Sequence, residues 1–257
     1  MIVTHKKENL KIRGVSNNYN IHTYKFASLA EFLKYIKNEN PLWDYRQSED
    51  KGNYSWYGTN SLEEAMDLLE HGWEEGAQNL NTELDNSLKT EQIIHTRQRS
   101  VYDVVGGNCS VPRYLQGVPT SMVRQVRQQV KQKITTLNSN ICFNSKTTKE
   151  AITQNCVKTL KSAIDLEAKG TRVNLNTVCA IYSQDNREVV AVSIPVKLST
   201  ERLNVLKLAF TMTHPSMFRR IIFSFIERCP DSKNSGQFRA FYGYPVREPE
   251  ALDKVFA

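Results

Sequence analysis

The strongest constraint on the fold is a regular succession of apolar patterns between residues 134 and 226. Side chains that alternate in polarity indicate strands, whereas apolar residues three and four positions apart indicate helices. The pattern predicts, in order, a strand at 134–143, a helix from about 147 to 170, strands at 173–182 and 189–196, and helices at 200–211 and from 215 onward. This β-α-β-β-α-α order predicts an α+β or α/β fold with helices packed on a mixed sheet.

Polar residues and glycines at the ends of these segments indicate where the helices begin and end. Thr147 and Glu150 have the spacing of a capping box, and Gly170 supplies a C-terminal stop for the same helix. Pro215 lies in the first turn of the last predicted helix, where its missing N–H has no intrahelical partner to lose. The C-terminal half therefore has a defined predicted order of elements.

The N-terminal part shows the same signals over a shorter, more helix-rich stretch. Residues 19–26 are rich in aromatic and β-branched side chains that alternate between two faces, which predicts a strand. Ser28 with Glu31, and Ser61 with Glu64, each have capping-box spacing and each precede an apolar stripe. We therefore predict two helices after the first strand.

The formal charge changes sign along the chain. Residues 63–91 contain nine acidic side chains and one lysine, whereas residues 97–149 contain nine basic side chains and only Asp103 as an acid. Near this reversal we predict a domain border, with an N-terminal α/β region at 1–105 and a basic α/β domain at 106–257. A length of 257 residues equally permits one compact unit.

Several classes of function lack support in the sequence. An apolar run of the roughly 18–20 residues that cross a bilayer is absent, as is a signal-peptide pattern, so we expect a cytoplasmic protein without a membrane partner. Phosphate-loop, dinucleotide and His-Glu-x-x-His motifs are also absent, so we predict no cofactor, metal ligand or catalytic residue; a metal site would have to be assembled from distant segments. The five dispersed cysteines, including Cys109, are expected to be reduced and mostly buried.

The most distinctive segment is Trp-Tyr-Gly-Thr-Asn-Ser-Leu-Glu-Glu-Ala at 56–65, followed by Gly-Trp-Glu-Glu-Gly at 72–76. Gly58 and Thr59 lead into a capped helix, and Trp56 and Trp73 stand at its two ends. Core packing is the favoured interpretation of both tryptophans, and stacking on nucleic-acid bases is the alternative.

These residues resemble an uncharacterised family of bacteriophage proteins with a Trp-x-Gly-Thr-x-Ser-x-Glu-Glu-Ala segment followed by Gly-Trp-x-Glu-Gly. The similarity continues through Gly107, residues 111–119 and Met122, and again at 214–215 and 219–220. The resemblance implies a phage gene product located in the host cytoplasm, or in the virion, and implies no activity.

Positive charge supplies the candidate binding residues. A helix over residues 120–132 would place three basic side chains on one face, able to contact successive phosphates; a solvated face is the alternative. Arg219 and Arg220 are weaker candidates, and we expect one of them to pair with a carboxylate. The predicted nucleic-acid-binding residues are Arg113, Arg124, Arg127, Lys131, Lys133, Arg219 and Arg220.

Three functions are compatible with these observations. The first is a non-enzymatic phage accessory protein that binds nucleic acid, of unspecified type, in replication, packaging or host takeover. The second is a virion or scaffold protein that self-associates through its acidic 63–91 and basic 97–149 segments. The third is a protein-priming or metal-dependent nuclease enzyme, for which the sequence indicates no site.

Overall fold

The computed structural model describes residues 1–44, 46–51, 53–88, 99–126, 133–143, 147–233 and 235–256. This part of the chain contains both strands and helices. The strands are β1 (Ile2–Ile12), β2 (Val15–Lys25), β3 (Arg99–Asp103), β4 (Asn108–Cys109), β5 (Met122–Val126), β6 (Ile134–Asn140), β7 (Arg172–Ser183), β8 (Glu188–Lys197) and β9 (Tyr244–Pro245). The helices are α1 (Leu29–Asn38), α2 (Tyr54–Tyr57), α3 (Leu62–His71), α4 (Glu74–Leu88), α5 (Val111–Leu115), α6 (Lys149–Ala168), α7 (Val205–Thr213), α8 (Phe223–Arg228), α9 (Gly236–Phe241) and α10 (Pro249–Phe256). Gln47–Glu49 and Pro230–Ser232 are single 3-10 turns, and Met217–Ile222 is a π-helical segment directly before α8.

The main sheet is mixed, as the sequence predicts. Its strand order is β1-β2-β8-β7-β6, and β9 adds a short pairing with β7. The pairs β2–β8 and β6–β7 are parallel, whereas β1–β2 and β7–β8 are antiparallel. The antiparallel pair β7–β8 is the predicted hairpin. These pairings and the helices around them confirm the α+β class.

Strands from both ends of the chain meet in this sheet. Residues 20–25 of β2 pair with residues 188–193 of β8, so a parallel ladder joins segments that lie about 170 positions apart. A short hairpin cannot join two parallel strands, so the long chain between β2 and β8 forms the crossover that connects them. In the sequence, the predicted domain border near residue 105 thus lies between β2 and β8, which pair in the main sheet. The two-domain division stays a prediction.

Apolar side chains cover both faces of the sheet at β8. Val190 and Val192 face the main core, where Phe32 of α1 and Phe225 of α8 pack. Val189 and Ala191 face a second core, to which α10 contributes Ala251 and Val255. A strand buried on both faces reads as a continuous apolar run, and this is the pattern of Val-Val-Ala-Val at 189–192.

Several predicted helix limits are confirmed, and others need correction. Ser28 and Ser61 accept hydrogen bonds from the backbone N–H groups three residues later, at 3.1 Å each. In α6 the capping residue is Thr148, one position after the prediction, because its hydroxyl accepts from Ala151 N–H. The helix predicted from residue 200 begins at Val205, behind the cap of Asn204. No described helix has the length and hydrophobicity needed to cross a membrane.

The predicted helix over residues 120–132 is wrong at its N-terminal half. Residues 122–126 form β5, which lies between β3 and β4 in a separate three-stranded sheet. Backbone pairing with β3 and β4 identifies residues 122–126 as a strand. Residues 127–132 lie outside the described residues.

The expectation that all five cysteines are reduced is also wrong. Cys142, which follows β6, and Cys179, in the adjacent strand β7, form a disulfide across a sequence separation of 37 residues. The parallel register of β6 and β7 brings them together, since Asn140 is opposite Val178. Of the free cysteines, Cys156 and Cys229 are buried and Cys109 is exposed.

A buried carboxylate fixes the chain between α1 and α2. Glu227 of α8 is fully buried, and its Oε1 accepts hydrogen bonds from the backbone N–H of Ser48 at 3.1 Å and from the hydroxyl of Tyr242 at 2.6 Å. Its Oε2 accepts from the hydroxyl of Ser48 at 2.5 Å. Burial raises the pKa of Glu227 above its ordinary value, against the lowering effect of these hydrogen bonds.

The raised pKa of Glu227 predicts a pH dependence of stability. Above the unfolded pKa of 4.5 the unfolded chain loses a proton that the folded chain retains, so the free energy of unfolding falls as the pH rises toward the folded pKa. The slope from this one group reaches at most about 1.4 kcal/mol per pH unit. Urea unfolding across this range should show a flatter profile for Glu227→Gln than for the wild type. The exposed control Glu83→Gln should retain the wild-type slope, and parallel profiles for all three proteins would contradict the assignment.

Candidate nucleic-acid interface

The sheet formed by β3, β5 and β4 carries two of the predicted binding residues. Its strands pair in the order β3-β5-β4, and α5 lies in the loop between β4 and β5. Among the side chains described between residues 100 and 124, only that of Ser121 is buried. This small sheet therefore has no apolar core of its own among those residues, although isolated sheets of this size are marginally stable in water.

Large side chains are exposed on the small sheet and its helix. Tyr102 of β3 is 50% exposed, Tyr114 of α5 is 68% exposed and Leu115 is 78% exposed. Val104 and Val105, directly after β3, are exposed as well. Clustered exposed apolar side chains mark interaction sites more often than scattered ones do.

Arg113 is held against one of these aromatic rings. Its guanidinium lies 4.2 Å from the ring centroid of Tyr102. The same guanidinium donates to the backbone oxygen of Thr120 at 3.1 Å and to its hydroxyl at 3.2 Å. These contacts orient Arg113 beside an exposed aromatic side chain, an arrangement in which a cation–π contact contributes about 0.5–1 kcal/mol.

Arg124 lies on the same small sheet but makes a different contact. It is exposed on β5 and forms an ion pair with Asp103 of β3, with 3.2 Å between nitrogen and oxygen. Lys133 is exposed at the start of β6, where its backbone oxygen accepts from Arg172 N–H. Arg127 and Lys131 lie outside the described residues. The structure thus places Arg113 on α5 beside Tyr102, and Arg124 on β5 opposite Val101, on the other face of the sheet from Tyr102. The sequence predicted a helix face for Arg124.

Arg219 lies in a different part of the fold. Its guanidinium is 3.7 Å from the ring centroid of Trp56 and donates to the backbone oxygen of the same residue. The side chain is half-buried, and burial lowers the pKa of Arg219. The aromatic face of Trp56, which was a candidate for base stacking, is thereby covered by an arginine.

Arg220 is fully buried and binds the backbone of the N-terminal part. Its Nη1 donates to the backbone oxygens of Ser48 at 2.8 Å and Asp50 at 2.9 Å, and its Nη2 donates to that of Thr59 at 3.0 Å. Its guanidinium also lies 4.1 Å from the ring centroid of Tyr57. In this position Arg220 faces carbonyl oxygens of the protein and presents no surface to solvent.

The distinctive segments at 56–65, 72–76 and 214–220 meet at one junction. The hydroxyl of Ser216 lies 2.9 Å from that of Thr59, and Trp73 packs edge-on against His214 with 4.6 Å between ring centroids. A Cβ added to Gly58 would lie 2.8 Å from the side chain of Pro215. We call these contacts the motif junction. They place Trp73 against the main core, which was the favoured interpretation of that residue.

With this geometry established, comparison with known proteins gives one match. A family model described as a domain of unknown function, DUF7192, matches residues 5–256. The chain belongs to this family. No curated protein and no solved structure matches it.

The sequence interpretation missed two groups of residues in this DUF7192 chain. Tyr102 and Tyr114 were not singled out, although each lies close in sequence to a basic or turn-forming segment. The second group is His5, His22 and Asp231, whose potential ligand atoms all lie within 4.8 Å of one another. Burial lowers the pKa of His22, which favours its neutral imidazole, and Asp231 acts in the opposite direction. No short sequence motif could have indicated this group, because the pairing of β1 with β2 brings His5 to His22 and Asp231 comes from the far end of the chain.

The environment of Arg220 predicts a large loss of stability on truncation. Arg220→Ala leaves the carbonyl oxygens of Ser48, Asp50 and Thr59 without their donor, and each buried unsatisfied group costs about 1–3 kcal/mol. We expect the free energy of unfolding to fall by about 3 kcal/mol or more, measured by chemical denaturation. The matched control Arg239→Ala, at an exposed position, should change it by less than about 0.5 kcal/mol. Equal effects of the two substitutions would contradict the anchoring role.

Proposed function

We propose that the chain binds nucleic acid through the small sheet at 99–126 and the basic residues that follow it. One observation carries the proposal: exposed Tyr102 lies against Arg113, exposed Tyr114 follows Arg113 in α5, and the side chains described between residues 100 and 124 form no apolar core. Arg124 adds a positive charge on the other face of the same sheet. Arginine supplies charge for phosphates, and aromatic rings supply faces on which bases stack. The combination is typical of nucleic-acid-binding surfaces.

Single-stranded nucleic acid fits this surface better than a duplex does. Stacking on Tyr102 or Tyr114 requires a base whose face is accessible, and bases inside a duplex are stacked on each other. The small sheet also provides no described helix of the length that enters a major groove, since α5 has five residues. Arg127 and Lys131 continue the basic segment and complete the proposed phosphate contacts.

The biological setting of the proposal comes from the sequence. The resemblance of the 56–65 and 72–76 segments to phage proteins supports a phage accessory protein that acts in the host cytoplasm during replication, packaging or host takeover. The net charge of +7 is compatible with a polyanionic partner. Arg219 and Arg220 have no part in this binding surface, because the motif junction holds both.

The salt dependence of binding tests the electrostatic part of the proposal. Fluorescence anisotropy with single-stranded DNA, single-stranded RNA and duplex DNA should show affinity at low salt that is higher for a single strand. The triple variant Arg124→Ala, Arg127→Ala and Lys131→Ala should reduce the slope of log affinity against log salt by about 2, since each single-strand phosphate contact contributes about 0.7.

A matched triple variant separates local contacts from net charge. Lys158→Ala, Lys161→Ala and Lys169→Ala remove the same charge from exposed positions on and after α6 and should leave affinity and slope close to wild type. No binding by the wild type at low salt would overturn the proposal, as would equal losses in the two triple variants.

Aromatic stacking predicts a separate effect at Tyr114. Tyr114→Ala removes a ring that is 68% exposed, and stacking contributes about 1–3 kcal/mol per base. Single-strand affinity should therefore fall roughly 5- to 150-fold. The slope against salt should stay unchanged because no charge is removed. Unchanged affinity would show that bases do not stack at Tyr114.

Self-association is a second candidate, supported by the exposed acidic side chains of α3 and α4. Among them are Asp67, Glu70, Glu74, Glu75 and Glu83. This acidic surface could meet the basic segment of another copy in a virion or scaffold protein. Light scattering at low and high salt distinguishes the candidates, because oligomers that dissociate on adding salt, together with an absence of nucleic-acid binding, would favour self-association.

A further inference from the structure

His5, His22 and Asp231 converge from three segments on one face of the main sheet. His5 of β1 and His22 of β2 are directly opposite each other in the antiparallel ladder, so their side chains share a face. Their Nδ1 atoms are 2.7 Å apart. Asp231, in the 3-10 turn Pro230–Ser232, places Oδ1 3.3 Å from Nδ1 of His22.

Hydrogen bonds alone cannot satisfy the two Nδ1 atoms and the carboxylate oxygen at the same time. If Nδ1 of His5 donates to Nδ1 of His22, then the latter is an acceptor and faces a second acceptor, the carboxylate oxygen of Asp231. If Nδ1 of His22 donates, its single hydrogen has to serve both His5 and Asp231. A cation between the three atoms would accept a lone pair from each of them at once.

The carboxylate is already oriented for such a role. The hydroxyl of Tyr24 donates to Oδ2 of Asp231 at 2.5 Å, which leaves Oδ1 directed at His22. Tyr24 is itself buried in the main core, where its ring packs edge-on against Phe225. A hydrogen-bonded partner that fixes a ligating carboxylate is typical of metal sites in proteins.

We propose that His5, His22 and Asp231 bind a zinc ion, with the fourth position of the ion open to water. Two imidazole nitrogens and one carboxylate oxygen form a donor set that zinc prefers, and three protein ligands with one open position are usual in non-structural zinc sites. The proposal is independent of nucleic-acid binding, because none of these residues belongs to the small sheet.

One of the ligand–ligand distances already agrees with this ion, and a second requires a small shift of His5. A tetrahedral zinc ion with bonds of about 2.0–2.1 Å places its ligand atoms about 3.3 Å apart. His22 Nδ1 and Asp231 Oδ1 already have that separation. Nδ1 of His5 would have to move away from His22 by roughly half an ångström, and the exposed ring of His5 is able to do so.

Titration of the chelator-treated full chain with zinc chloride tests the site. Isothermal titration calorimetry of the wild type should give one zinc ion per chain, and His5→Ala, His22→Ala and Asp231→Asn should each abolish that binding event. Tyr24→Phe retains all three ligands but releases the carboxylate, so its affinity should fall about 10- to 100-fold.

A second histidine–aspartate pair provides the matched control. His71 and Asp67 lie one helical turn apart on α3, with 3.0 Å between Nδ1 and Oδ1, and no third histidine, cysteine or acidic side chain among the described residues forms a metal-binding group with them. His71→Ala should bind zinc as the wild type does. A loss of binding in His71→Ala with retention in His5→Ala would overturn the proposal.

The His5→Ala variant decides the outcome if the others fold poorly. His5 is exposed, so its truncation should leave the far-ultraviolet circular dichroism spectrum unchanged. Zinc should raise the melting temperature of the wild type and of His71→Ala but not of His5→Ala. Cobalt substituted for zinc should give the visible absorption of a four-coordinate nitrogen and oxygen site in the wild type and in His71→Ala, but not in His5→Ala. Absence of zinc binding by the wild type, or wild-type binding by folded His5→Ala, would overturn the assignment.

Discussion

The burial of one guanidinium determines how the N-terminal connection lies on the rest of the fold. Arg220 donates to carbonyl oxygens of Ser48, Asp50 and Thr59, and it does so from a helix that belongs to the other end of the chain. Removing an arginine from water is costly, and its hydrogen bonds to these carbonyls offset much of that cost. Glu227, seven residues later in α8, binds Ser48 as well. The irregular segment between α1 and α3 is thus fixed by two buried ionisable side chains, Arg220 through backbone carbonyls and Glu227 through Ser48.

Local patterns could predict the elements of this fold because their causes are local. The caps at Ser28 and Ser61 each depend on a hydroxyl and an N–H group three residues away, so they are visible in sequence. The pairing of β2 with β8 depends on residues about 170 positions apart and leaves no trace in either strand. The disulfide between Cys142 and Cys179 could not be predicted for the same reason, because the register of β6 and β7 creates it.

Charge counting predicted part of the candidate interface and misplaced the rest. Arg113, Arg124 and Arg220 are equivalent in a composition analysis, yet Arg113 is partly exposed on α5, Arg124 is exposed on β5 and Arg220 is fully buried. Arg220 differs from the other two because its neighbours Ile221 and Ile222 are buried in the main core, so this turn lies in the interior. The histidine and aspartate group shows the same limit, since β1–β2 register and the turn at 230–232 have to be known before the three side chains can be related.

A partner can replace an exposed ion pair of the small sheet at 99–126 at a low cost in free energy. The exposed ion pair between Arg124 and Asp103 contributes about 0–1 kcal/mol, so exchanging the carboxylate for a phosphate requires little energy. Arg113, by contrast, has hydrogen bonds to Thr120 that keep it beside Tyr102, and a ligand that stacks on the ring meets a cation already in place. A surface of this kind loses little conformational freedom on binding, because its aromatic and basic groups are oriented in advance. The two arginines therefore have different roles in the proposed binding: Arg124 can exchange its carboxylate for a phosphate on one face of the sheet, whereas Arg113 is fixed beside Tyr102 on the other face.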